Sequence, residues 1–222
     1  MSLLAHLIGP RIPTDELRTR RWRYTWPTAF LSIARILLLV SIFFPYWHME
    51  LEAPQYPDGL YVTAYVNYLE GDVTEIDGLN HYIGMRPLGD AAKFERTASV
   101  WMMIAMVLLV EGAGFVHSRW AVLLALPAIL FPLGFAGDLF FWLQHFGNHL
   151  DPKAPLSSSV KPFTPTLFGE GGVGQFKTYS SAGIGLWLAC ACSALTVVAF
   201  IFHRRAYKPL VARAQGTALA AA

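Results

Sequence analysis

The sequence predicts an all-α membrane protein: a bundle of four transmembrane helices with a small extracytoplasmic loop domain containing a β-hairpin. Three observations point there. Of the 222 residues, 55% are hydrophobic and only 14% charged, with a mean hydropathy of +0.41, which is too apolar for an ordinary soluble domain. Four segments reach the roughly 20 mostly apolar residues that a span needs. Basic residues gather at alternate ends of those segments.

The first span covers 28–47 ("TAFLSIARILLLVSIFFPYW"), the second 97–116 ("TASVWMMIAMVLLVEGAGFV"), the third 120–144 ("WAVLLALPAILFPLGFAGDLFFWLQ") and the fourth 181–202 ("SAGIGLWLACACSALTVVAFIF"). Pro127 and Pro132 are expected to kink the third. Arg11, Arg18, Arg20, Arg21, Arg23, Arg119, Arg204, Arg205, Lys208 and Arg213 all fall on one side of a four-span chain, and that side is expected to be cytoplasmic. The two other loops, 48–96 and 145–180, hold six Lys or Arg, and the first of them is rich in Asp and Glu. Both termini are thus placed inside and both large loops outside. Tryptophan and tyrosine at the span ends fit interfacial belts. The first span reads as a retained anchor, because its polar lead is long and no small-residue cleavage site follows. Residues 1–27 form a cytoplasmic lead and 204–222 a mobile cytoplasmic tail.

The first outer loop is too long to be a bare connection. "GLYVTAYVNYL" (59–69) suits a strand, and "TEIDGLNHYIGM" a second extended piece or a short helix entered at Asp77. The second outer loop is rich in proline and glycine and is expected to be irregular. A net charge of +2 excludes the basic excess that nucleic acid demands. Cys190 and Cys192 point about 200° apart on a helix, so they neither chelate one ion nor bridge; they read as small packing residues.

Candidate chemistry gathers at the outer level. His81 and Met85, four apart in "GLNHYIGM", share a face if the segment is helical, and imidazole plus thioether favours Cu(I). The bland alternative is a packed turn. In "DLFFWLQHFGNHLDP" the spacing of Asp138, Trp142, His145 and His149 makes one helical stripe, with Asp138 a carboxylate in the outer half of the span and a second-shell candidate. His48 and Met49 end the first span at the same level. Six soft or borderline donors (His48, Met49, His81, Met85, His145, His149) are therefore candidates for one metal layer. Arg35 and Glu111, at similar depth in the first and second spans, read as an intramembrane ion pair. No hydrolase triad, phosphate loop, haem attachment motif or zinc-protease motif is present, so an autonomous enzyme is not expected.

"APQYPDGL" (53–60), "GDVTEIDGLNHYIGM" (71–85), "HFGNHLDPKAPL" (145–156) and "PFTPTLFG" (162–169) together resemble a set of small four-span bacterial membrane proteins associated with the copper-delivery genes of nitrous-oxide reductase. The resemblance covers roughly residues 28–203. It implies an inner-membrane location and a role in copper supply or in maturing a periplasmic copper enzyme, with His81 and Met85 matching one motif and His149 with Asp151 the other.

Three functional readings follow. One is an accessory protein that binds or passes Cu(I) on its periplasmic face. The second is a metal-free scaffold or anchor subunit in the bilayer, whose loops dock a membrane or periplasmic partner through Tyr61, Tyr65, Tyr68 and Tyr82. The third is a haem- or quinone-contacting subunit, which needs facing histidines; His117 lies at the opposite edge from His145.

Overall fold

In the computed structural model, residues 12–117, 120–156, 159–173 and 176–220 are described. Six α-helices are present among them: α1 (Thr14–Thr19), α2 (Arg21–Ser41), α3 (Val73–Ile83), α4 (Lys93–Phe115), α5 (Ala121–Asn148) and α6 (Ile184–Ala220). Five strands accompany them: β1 (Trp47–Ala53), β2 (Tyr56–Ala64), β3 (Leu69–Gly71), β4 (Gly169–Val173) and β5 (Phe176–Ala182). Contacts divide the chain into two compact units, Met1–Leu39 with Met102–Phe131 and Leu188–Ala222, and Val40–Trp101 with Pro132–Trp187.

Four helices are long and apolar enough to cross a membrane: α2, α4, α5 and the Ile184–Arg213 part of α6. Only 17 to 39% of each apolar window is buried within the protein. So much exposed apolar surface exceeds anything a water-soluble monomer carries, and the chain is read as a multi-pass membrane protein.

The first unit packs through small residues. Ala34, Ala113, Ala125, Ala128, Ala189 and Ala199 are all at most 1% exposed, which lets helix backbones approach closely where lipid removes the hydrophobic drive for association. Cys192 is buried in the same way, and both cysteines are free. The Ser193 hydroxyl donates to the Ile129 carbonyl. Arg35 and Glu111 form an ion pair, and Arg35 also donates to the Ser32 hydroxyl at 2.7 Å. The pair thus joins α2 and α4 at charged residues inside both helices.

The second unit is built on an antiparallel sheet of order β3-β2-β1-β5-β4. The expected single hairpin is therefore too small: both outer segments contribute to one sheet, with β1 paired to β2 on one side and β5 on the other. The first apolar helix stops at Ser41 rather than at Trp47. Pro45 disfavours helix at the residue before it, and Trp47 then opens β1 with a fully extended partner on each side. The glycine-rich 169–174 stretch, expected as loop, supplies β4, and its pairing with β5 runs from Gly169↔Ser180 to Val173↔Phe176. The segment after the fourth span, expected as a tail, continues as helix to Ala220. Helix also begins before the expected first span, at Arg21, with α1 ahead of it. Of the basic flank, Arg11 and Arg119 lie outside the described residues.

Alternation along the strands gives the sheet two unlike faces. Trp47, Leu60, Val62 and Ala64 are buried on one face, where Ile76 of α3 packs on Leu60 and Val62, and Leu143 of α5 on Trp47 and Ala64. The Trp47 indole donates to the Leu167 carbonyl at 2.7 Å. His48, Glu50, Tyr61, Thr63 and Tyr179 occupy the other face, where the Tyr61 hydroxyl donates to Glu50 at 2.9 Å.

Candidate metal-donor site

His81 lies in the last turn of α3, a helix with fixed ends, and Met85 lies two residues beyond its end. At its start, Asp72 and Tyr61 bind reciprocally: the Asp72 amide donates to the Tyr61 carbonyl at 2.7 Å, and the Asp72 carboxylate accepts from the Tyr61 amide at 2.8 Å. The helix therefore begins at Val73, one turn before the expected entry at Asp77. Asp77 instead accepts from the Leu88 amide at 2.7 Å and ties down the chain that leaves the helix. At the end, Gly84 adopts φ 82°. The Met85 amide donates to the Asn80 carbonyl at 2.8 Å and the Gly84 amide to the His81 carbonyl at 3.4 Å. That pair of bonds is a Schellman ending, which places a left-handed glycine directly after the helix.

Gly84 is also the docking point for the second loop. Its carbonyl accepts from the Asp151 amide at 2.7 Å, and the Tyr82 carbonyl accepts from the Leu156 amide at 2.9 Å. A Cβ on Gly84 would stand 2.7 Å from the Asp151 carbonyl oxygen. The consequence is an open hollow lined by His81, Met85, His149 and Asp151, with Arg86 and Lys153 at its edge. Two chemically matched motifs, about 65 residues apart by the numbering, are thus brought to one place.

The tautomer of His149 follows from its partner. Its Nδ1 lies 2.8 Å from the His145 carbonyl, which can only accept, so Nδ1 carries the proton and Nε2 keeps a lone pair. One of the Asp151 carboxylate oxygens accepts from the Lys153 amide at 2.9 Å. His145 stacks between Phe141 at 5.8 Å and His149 at 4.3 Å and is not among the residues of the hollow.

The remaining candidates lie elsewhere. His48 and Met49 are successive in a strand and so point to opposite faces of the sheet. The His48 ring bonds the Thr63 hydroxyl at 3.2 Å on the polar face, while Met49 packs among the apolar residues of the other. One site cannot hold both with the hollow's donors. Asp138 is about 10 Å below His145 along α5 by helical rise, and the Trp142 ring intervenes edge-on to His145 at 6.0 Å. Among the described residues, no three side chains of histidine, cysteine, aspartate or glutamate form a metal-binding group. A three-donor site at the hollow therefore requires the Met85 thioether.

The four docking candidates also divide. Tyr61 stands on the polar sheet face, whereas Tyr82 is exposed on α3, which covers the opposite face. Tyr65 and Tyr68 stack at 4.3 Å with 9° between their rings; partial desolvation, then the neighbouring Tyr68 and Glu70, push the Tyr65 phenol above its ordinary range.

A group missed in the sequence lies in the first unit. His117 stacks on Tyr207 at 4.0 Å and lies 5.9 Å from the His203 ring. His203 is 4% exposed. The facing histidine that His117 was expected to lack is thus present at its own end of the helices, and the four-residue spacing of His203 and Tyr207 was the available signal. Comparison with family models, with curated proteins and with solved structures found no match.

Proposed function

We propose that the protein is a multi-pass accessory protein of a bacterial inner membrane whose sheet unit, on the periplasmic side, binds Cu(I) as cargo for a periplasmic copper enzyme. The observation that carries this reading is the shared hollow of His81, Met85 and His149. Two imidazoles and a thioether are a neutral, soft donor set, which suits Cu(I) and not calcium or magnesium. Arg86 and Lys153 beside it disfavour a dication more than a monovalent ion, by Coulomb's law. The bias of Lys and Arg along the chain supports the periplasmic side, and the resemblance of the two loop motifs supports the copper role.

The test is competition for Cu(I) between the detergent-purified protein and a chromogenic chelator under reducing conditions. One equivalent is expected to bind, with affinity falling at least about tenfold in Met85→Leu and in His149→Ala. Absence of stoichiometric binding by the unmodified protein rejects the reading.

The second reading is a metal-free docking subunit, favoured by the exposure of Tyr68 and Tyr82, 44% and 55%. It expects His81→Ala and Met85→Leu to leave function in the cell intact, and Tyr82→Ala to abolish partner capture.

A further inference from the structure

The sheet unit holds a second feature, which shares only Met85 with the open hollow. Between the apolar sheet face, α3 and α5 lies a cavity of about 120 Å³. Val62 and Trp47 form its floor, Ile76 and Ile83 one wall, and Trp142 and Phe146 another. Apolar cavities of roughly 150 Å³ in other proteins stay dry and take up benzene; this smaller space suits a short run of methylenes or one edge of a six-membered ring.

Two buried donors line it, the Trp142 indole on α5 and the Asn80 amide on α3, and the amide makes this more than a gap in packing. Asn80 lines the cavity, is 7% exposed, and its amide nitrogen is buried with no hydrogen-bond partner. Buried donors left unpaired are rare in folded proteins and costly. Position explains why the backbone does not satisfy it: the Asn80 carbonyl is used by the helix ending, and Asn80 lies on the same buried face of α3 as Ile76 and Ile83. A leucine there, of nearly the same size, would leave nothing unpaired. The amide is thus suited to an acceptor atom brought in from outside on an apolar body.

We infer that this cavity binds an apolar molecule presenting a carbonyl oxygen to the Asn80 amide, the chemistry shared by an acyl ester and a quinone ring. Aromatic walls grip the ring or chain, and the Asn80 amide fixes its orientation. The inference does not rest on copper binding, because the Asn80 side chain is not among the residues of the hollow.

The test uses the full-length protein in detergent and fluorine NMR of two near-isosteric probes, 4-fluoroacetophenone and 1-ethyl-4-fluorobenzene. The ketone is expected to bind about tenfold more tightly, the ratio that one satisfied buried hydrogen bond supplies. Asn80→Leu is expected to abolish that preference. Ala64→Phe, which fills the cavity, is expected to remove binding of both probes. Competition against the ketone by methyl hexanoate identifies an acyl occupant, and competition by tetramethyl-1,4-benzoquinone a ring. Equal affinity for the two probes, no binding of either, or a preference that survives Asn80→Leu overturns the inference.

Discussion

The Asp151 amide donates to the Gly84 carbonyl at 2.7 Å, across a glycine held at φ 82°. This contact joins the His81–Met85 motif to the His149–Asp151 motif, so the donor hollow depends on a residue without a Cβ. Gly84→Ala is expected to lower stability by about 1–3 kcal/mol, from left-handed strain and the collision with the Asp151 backbone. Thermal unfolding in detergent measures it. An unchanged midpoint would mean that the two loops are not docked in this way.

A second close approach lies beside it. A Cβ on Gly147 would stand 2.1 Å from the Phe163 carbonyl, whose amide donates to Gly147 at 3.0 Å. Gly147→Ala is expected to destabilise more than Gly84→Ala, because its Cβ would stand closer to the opposing backbone, 2.1 Å against 2.7 Å. Equal midpoints for Gly147→Ala and the unmodified protein contradict this.

On the polar sheet face, the hydrogen bond to Glu50 holds the Tyr61 phenol above its ordinary range, with partial desolvation and nearby acidic charge adding to it. The sign follows directly. A folded value above the unfolded one, about 10, gives a contribution present below that pH and lost as pH rises through the folded value. The phenolate absorbance difference between the unmodified protein and Tyr61→Phe is expected to titrate above the ordinary phenol value, and Glu50→Gln to bring it down. A midpoint at the ordinary value in both rejects the bond.

The Arg35–Glu111 pair joins two apolar helices. Arg35→Met or Glu111→Leu alone is expected to cost about 3 kcal/mol, by leaving one charge without its partner. The double variant is expected to lose less than either single one. Additive losses across this cycle would show that the two residues act independently.

Much of this fold was legible, and the failures have physical causes. The spans follow from composition alone, because a run of about 20 apolar residues has few other uses. A short helix carrying His81 was readable, but its four-residue spacing to Met85 misled, because the left-handed Gly84 ends the helix between them. His48 and Met49 misled because a strand separates neighbours onto opposite faces, and β1 could not be seen behind the apolar run that leads into it. Strand β4 was hidden because glycine carries no strand preference; its pairing to β5 is set by the partner, not by its own residues. Asn80 gave no signal, since one polar residue among apolar ones on α3 reads as solvent-facing until the sheet is placed beneath it.

Membrane sidedness is checked with single cysteines in a Cys190→Ala/Cys192→Ala background. Glu52→Cys, exposed on β1, is expected to react with an impermeant maleimide in cells with a permeabilised outer membrane and an intact inner one. Lys208→Cys on α6 is expected to react only after the inner membrane is opened. The reverse pattern would place the sheet in the cytoplasm and remove the periplasmic reading.

The most direct measurement of the central claim is X-ray absorption at the copper edge of the Cu(I)-loaded protein. The account predicts a first shell of two imidazole nitrogens and one sulfur, with the sulfur contribution absent in Met85→Leu and one imidazole lost in His81→Ala. A shell without sulfur, or one unchanged by both substitutions, would contradict a site at the hollow of His81, Met85 and His149.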